Sequence, residues 1–163
     1  MKRQKNKRGF TLIEVLVVIL IIGILTSVAL PQYQKAIWKI RAAQIIPVVK
    51  ALGDAERVYF ATHNTYTSNI DDLDVSVPLP QTFDEEKNYW TIHLQEALWA
   101  NHVYAEIDRY GSHHFYIRYD LLDGIMECMP QLKNGQGAKI CQSLSHTTSY
   151  PCQGREVFQC YKL

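Results

Sequence analysis

The chain has 163 residues, 47% of them hydrophobic and 20% charged, which suits one folded domain with an accessory segment. The formal net charge of +1 hides an asymmetry: Lys2, Arg3, Lys5, Lys7 and Arg8 crowd the first nine residues without an acid, and the remainder carries more acids than bases. That acidic body argues against a broad phosphate-binding face and hence against a dedicated nucleic-acid binder.

After the basic start comes an apolar run, Phe10 to Leu30, whose one charge is Glu14. Its 21 residues make about 32 Å of helix, enough for a hydrocarbon core of roughly 30 Å. The preceding cations place the N-terminus in the cytoplasm and everything beyond Pro31 across the membrane. A secretory signal peptide shares the basic start, but its apolar core is usually ~7–15 residues and ends at a small-residue cleavage site. Here the helical pattern continues. Ile45, Val48, Leu52, Ala55 and Tyr59 recur at three and four, with Lys50, Asp54, Glu56 and Arg57 mostly on the other faces. The expected helix, Phe10 to about His63, is far longer than a monomeric globular domain ordinarily holds. Pro31 and Pro47 each remove a helical hydrogen bond, so each is a place to kink or open, and Gly23 weakens the region around Pro31.

Turn formers at 63–69 (HNTYTSN) end the helix, and an irregular connector follows to Pro80. Strand signals then appear at Tyr89–Leu94, Val103–Ile107 and His114–Leu121, with weaker ones at Ile125–Met129 and Val157–Tyr161. Three or four antiparallel strands are expected, packing on the helix through Val103, Ala105, Ile107, Phe115, Ile117 and Tyr119. The fold class is α+β.

All four cysteines, Cys128, Cys141, Cys152 and Cys160, fall in the C-terminal part, on the side of the membrane where disulfides persist. No CxxC pair is present, so a zinc ribbon is not indicated. Of the three connectivities four cysteines allow, the sequential one closes the shortest loops.

No cofactor or metal is indicated. His113 and His114 are adjacent, so on a strand they point to opposite faces. Asp71, Asp72 and Asp74 lack the spacing of an EF-hand loop and read as a solvated turn, and Asp84, Glu85 and Glu86 read as surface charge. The histidines at 63, 93, 102 and 146 are dispersed. No P-loop, GxSxG or HExxH pattern occurs, so the chain reads as a non-enzyme. Ten tyrosines with Trp38, Trp90 and Trp99 serve a small β-core as well as a DNA-stacking surface, and no basic patch accompanies them. The hydroxyl-rich SLSHTTSY at 143–150 reads as a loop rather than a glycosylation site.

Lys7-Arg8-Gly9-Phe10-Thr11-Leu12-Ile13-Glu14, followed by the apolar run and Pro31, resembles the processing motif of type IV pilins and type II secretion pseudopilins. The resemblance is close over about the first 60 residues, and the aromatic exit Tyr59-Phe60 and the passage to Pro80 are similar. It implies a leader at 1–9 removed by a prepilin peptidase between Gly9 and Phe10, with methylation of the new Phe10 amine by the same enzyme. It implies a transmembrane and filament-core segment at 10–31, and an amphipathic half-helix with a β domain at 32–163. It further implies a homo-oligomeric helical filament, polymerised from an inner-membrane platform, in which Glu14 receives the Phe10 amine of a neighbour. Gly23 and Pro31 would mark where the helix loosens. The periplasmic domain would become extracellular on assembly. The disulfide-bounded tail resembles pilins more than pseudopilins, which usually carry a calcium loop instead. The competing class is a signal-anchored periplasmic binding domain that never polymerises, for which the Gly-Phe step and Glu14 are coincidences.

Overall fold

In a computed structural model of the chain, the described residues are 9–77, 90–94, 101–145, 147–152 and 155–163, with the backbone alone at 155–158. The N-terminal cations, Pro80, Asp84, Glu85, Glu86, Tyr89, Trp99 and His146 lie outside them. The chain divides into two compact units, one ending at Ile37 and the other beginning at Trp38.

Helix α1 runs from Leu12 to His63. From Val15 to Leu30 it carries no charge, and the large side chains from Leu12 to Leu30 are exposed, from 44% at Val17 to 83% at Leu12. By length and composition it is a helix able to cross a membrane. It stays helical through Gly23, Pro31 and Pro47.

The second unit is a helix laid on an antiparallel sheet. Strands β1 (Trp90–Leu94), β2 (His102–Ile107), β3 (Phe115–Asp120), β4 (Met126–Pro130), β5 (Tyr150–Cys152) and β6 (Arg155–Lys162) lie in the order β1-β2-β3-β4-β6-β5. Alternation decides the inner face. Val103, Ala105 and Ile107 of β2 stand opposite Tyr119, Ile117 and Phe115 of β3, and all six are buried in the core. This is the packing face expected from the pattern.

The helix meets that face differently from the expected stripe. The buried positions of α1 are Ala42, Ile45, Val49, Leu52, Gly53 and Glu56, while Val48, Ala55 and Tyr59 are half-buried. The stripe is therefore turned toward Val49 and Glu56, and Glu56, assigned by its charge to a solvent face, is fully buried. Close approach of the sheet explains the rotation. The Tyr119 ring lies against Gly53, where an added Cβ would stand 2.3 Å from Tyr119 Cδ1. Its hydroxyl donates to Asp54 (2.7 Å) and accepts from Arg57 (3.3 Å). One Glu56 oxygen accepts from the Thr67 N–H at 3.1 Å, tying the connector to the helix, and the other has no hydrogen-bond partner among the described residues.

The connector contains a 3₁₀ turn, Ile70–Asp72, capped by Asn69, whose side chain accepts from the Asp71 N–H at 3.2 Å. The tail is more ordered than its strand signals suggested. Helix α2 (Gln136–Leu144) and the short β5 were not expected there. Disulfide Cys128–Cys141 staples α2 to β4, and Cys152–Cys160 closes the β5–β6 hairpin. This is the sequential pairing. Gly137 lets α2 sit against the His114 carbonyl, 2.5 Å from where a Cβ would stand.

The outward side chains of the sheet form a buried polar layer. Arg118 and Glu127 pair across β3 and β4 at 2% and 5% exposure, and Tyr150 donates to the same Glu127. Glu106 accepts from His114 (2.8 Å) and Tyr116 (3.3 Å), with His93 and Arg109 each 3.6 Å from its other oxygen. His113, the other half of the histidine pair, instead stacks on Trp38 of α1.

Candidate processing and assembly site

The residues singled out at the N-terminus sit at the mouth of α1. Gly9 and Phe10 precede the helix and are exposed, Phe10 at 88%. A side chain added at Gly9 would meet nothing within 4 Å among the described residues.

Thr11 caps the helix. Glu14 stands in its first turn, and the two exchange bonds: a Glu14 oxygen accepts from the Thr11 N–H at 2.8 Å and from its hydroxyl at 2.6 Å. The Glu14 N–H approaches the Thr11 hydroxyl at 3.4 Å. This is the reciprocal capping box of Thr-x-x-Glu, which satisfies two otherwise orphaned donors at a helix start. A carboxylate there also favours the positive end of the helix dipole. In the single chain, Glu14 thus has a local partner. The spacing at Thr11 was a legible signal, and the role of Thr11 is the one sequence reasoning passed over.

Further along the same segment, Gly23 has open space around its missing Cβ. With Leu16, Ile19, Leu20, Ile24 and Ser27 it lines a shallow apolar groove. The Ser27 hydroxyl donates back to the Ile24 carbonyl at 2.7 Å, keeping its polarity inside the helix. Pro31 is exposed at the end of the run. The cysteines belong to the second unit, where all four are buried in disulfides. Among the described residues, no three His, Cys, Asp or Glu side chains converge to hold a metal ion.

Residues 4–30 match the family model described as a prokaryotic N-terminal methylation motif. The type II secretion system core protein G of Aeromonas hydrophila is 32% identical over 103 residues, covering 61% of this chain and 72% of that protein. The chain belongs to the type IV pilin and prepilin family. This prepilin is also 35% identical over 72 residues to the type IV major pilin protein PilE1 of Neisseria gonorrhoeae, covering 44% of each. A fimbrial protein of Pseudomonas aeruginosa is 43% identical over 51 residues, 31% of the prepilin and 33% of the relative. The prepilin spans less than half the length of these fimbrial relatives. No solved structure matches it. Its long helix on an antiparallel sheet, with a disulfide-closed C-terminal region, is the type IV pilin fold.

Proposed function

We propose that this prepilin is the subunit of a type IV pilus, a filament serving adhesion, twitching motility or DNA uptake. A membrane peptidase cuts between Gly9 and Phe10 and methylates the Phe10 amine, and an inner-membrane platform driven by an ATPase polymerises the product. The observation that carries this reading is an apolar helical run, exposed from Leu12 to Leu30, that opens on a single acid, Glu14.

Cleavage converts the Phe10 amide into a cation at the lipid edge. As helices leave the membrane together, that amine and the Glu14 carboxylate both lose water. Each is costly alone and tolerable when paired, so Glu14 of one copy takes the Phe10 amine of the next. Such a pair is better suited to setting register than to adding net stability. Gly23 and Pro31 then mark the stretch where the helix loosens to let neighbours pack. Mass spectrometry of the mature protein tests the reading. Methyl-Phe10 at the N-terminus is expected, and a chain retaining Met1 would favour a simple membrane anchor.

The match over most of the length of core protein G favours a second reading, a pseudopilin of a type II secretion system. Electron microscopy of the cell surface separates them: long surface filaments carrying this chain belong to a pilin.

A further inference from the structure

The second unit carries a groove whose chemistry the assembly at Phe10 and Glu14 does not use. About 290 Å³ in volume, it lies between the last turns of α1 and the 3₁₀ connector, lined by Ala55, Val58, Tyr59 and Leu73 together with Thr62 and His63, whose side chains bond each other at 2.7 Å. Two carboxylates, Asp72 and Asp74, stand at its rim. Asp72 is held in place by Thr67 (2.8 Å) and Asn69 (3.3 Å). Asp74 is exposed and has no ion pair among the described residues. An apolar trough ending on carboxylates suits a side chain with a hydrocarbon stem and a cationic tip, which is the chemistry of lysine.

The same chain offers that side chain elsewhere. Between Val15 and Gly53, α1 has no acid, and its exposed lysines include Lys39 and Lys50. They stand eleven residues apart, three turns of helix, and so share one side of it about 16 Å from each other. Neither has an ion pair among the described residues. The chain thus carries a cationic helix side and an anionic groove, two complementary surfaces at different heights along its length. Surfaces of that kind suit staggered copies rather than a two-fold dimer, because head-to-tail contacts propagate.

We infer that the Ala55–Val58–Tyr59–Leu73 groove, with its Asp72 and Asp74 rim, receives Lys39 or Lys50 from α1 of a second copy in the filament. This rests on the filament reading above. The contact would select and align neighbours electrostatically, with the apolar wall excluding water around the stem.

The test uses purified filaments of the unsubstituted protein and a carbodiimide, which joins a lysine directly to a carboxylate it touches. Covalent multimers are expected, with crosslinked peptides joining Asp72 or Asp74 to Lys39 or Lys50. Replacing both aspartates by lysine should lower filament yield about tenfold, and adding Lys39→Asp and Lys50→Asp should restore it. Filaments that form normally but give no such crosslink, or that join these aspartates to another protein, would overturn the inference while leaving the pilin reading intact. Unsubstituted protein that makes no filament at all would instead defeat the pilin reading.

Discussion

The Glu14 carboxylate and the Thr11 hydroxyl lie 2.6 Å apart, so the acid proposed to bind a neighbour's amine is already bonded within its own helix start. Two roles meet in one side chain: a cap, which needs only a side-chain acceptor, and an ion partner, which needs the charge. Glutamine separates them. It can replace glutamate in a capping box but carries no charge. Glu14→Gln should therefore keep α1 capped and inserted yet give no filaments; Glu14→Ala, which loses the cap as well, should also insert and give none. Membrane fractionation with electron microscopy reads both properties. Normal filaments from the Gln variant would mean that the cap alone matters.

The seat of Tyr119 on Gly53 predicts a core effect. An alanine at an open helix position gains up to about 1 kcal/mol over glycine. Here its methyl would enter the tyrosine ring, and overpacking costs typically 1–3 kcal/mol. Gly53→Ala should lower the thermal midpoint of the detergent-solubilised protein. Gly23→Ala, at an open position, should not.

Arg118 and Glu127 are a buried ion pair reinforced by Tyr150. Breaking such a pair from one side leaves a buried charge and costs about 3–5 kcal/mol, whereas replacing both partners by apolar side chains can be neutral. Arg118→Met alone should severely destabilise the second unit, and Arg118→Met with Glu127→Leu should recover most of the loss. Urea denaturation midpoints of the three variants decide it.

Two buried groups predict opposite pH responses. Burial raises the Glu56 carboxyl above its usual 4.5, outweighing the Thr67 N–H that lowers it. Its contribution is full below pH 4.5 and is lost as pH rises through the raised value, so ionised Glu56 weakens the fold at neutral pH. Burial, aided by the nearby Arg118 cation, lowers His102 below 6.5, against the pull of Asp120, Glu127 and Asp123. Its contribution is full above pH 6.5 and is lost as pH falls toward the lowered value. Between pH 7 and 5, Glu56→Gln should remove a gain in stability on acidification, and His102→Gln should remove a loss. Thermal midpoints measured across that interval check both signs.

How much was legible follows from what each feature depends on. The membrane run, the basic start, the Gly9-Phe10-Glu14 step and the strand alternation of Val103–Ile107 and Phe115–Tyr119 are local patterns, set by hydrophobic period and chain direction. The sequential pairing of the cysteines follows from short loops between neighbouring residues. These could be read without coordinates because their causes lie within a few residues of each other.

The buried side of α1 could not. Val48 and Val49 are equally apolar and adjacent, and Glu56 is charged, so composition pointed away from the face that Tyr119 and Gly53 select by close contact. Helix α2 was masked by its polar, glycine-bearing sequence, and it holds its place through the Cys128–Cys141 bond and the close approach of Gly137 to His114. The pairing of Arg118 with Glu127, and of Glu106 with His114, required strand register, which brings side chains separated in the chain next to each other. Periodicity along a chain states which residues can share a surface. Which surface is buried, and which acid goes with it, was settled by what packs opposite.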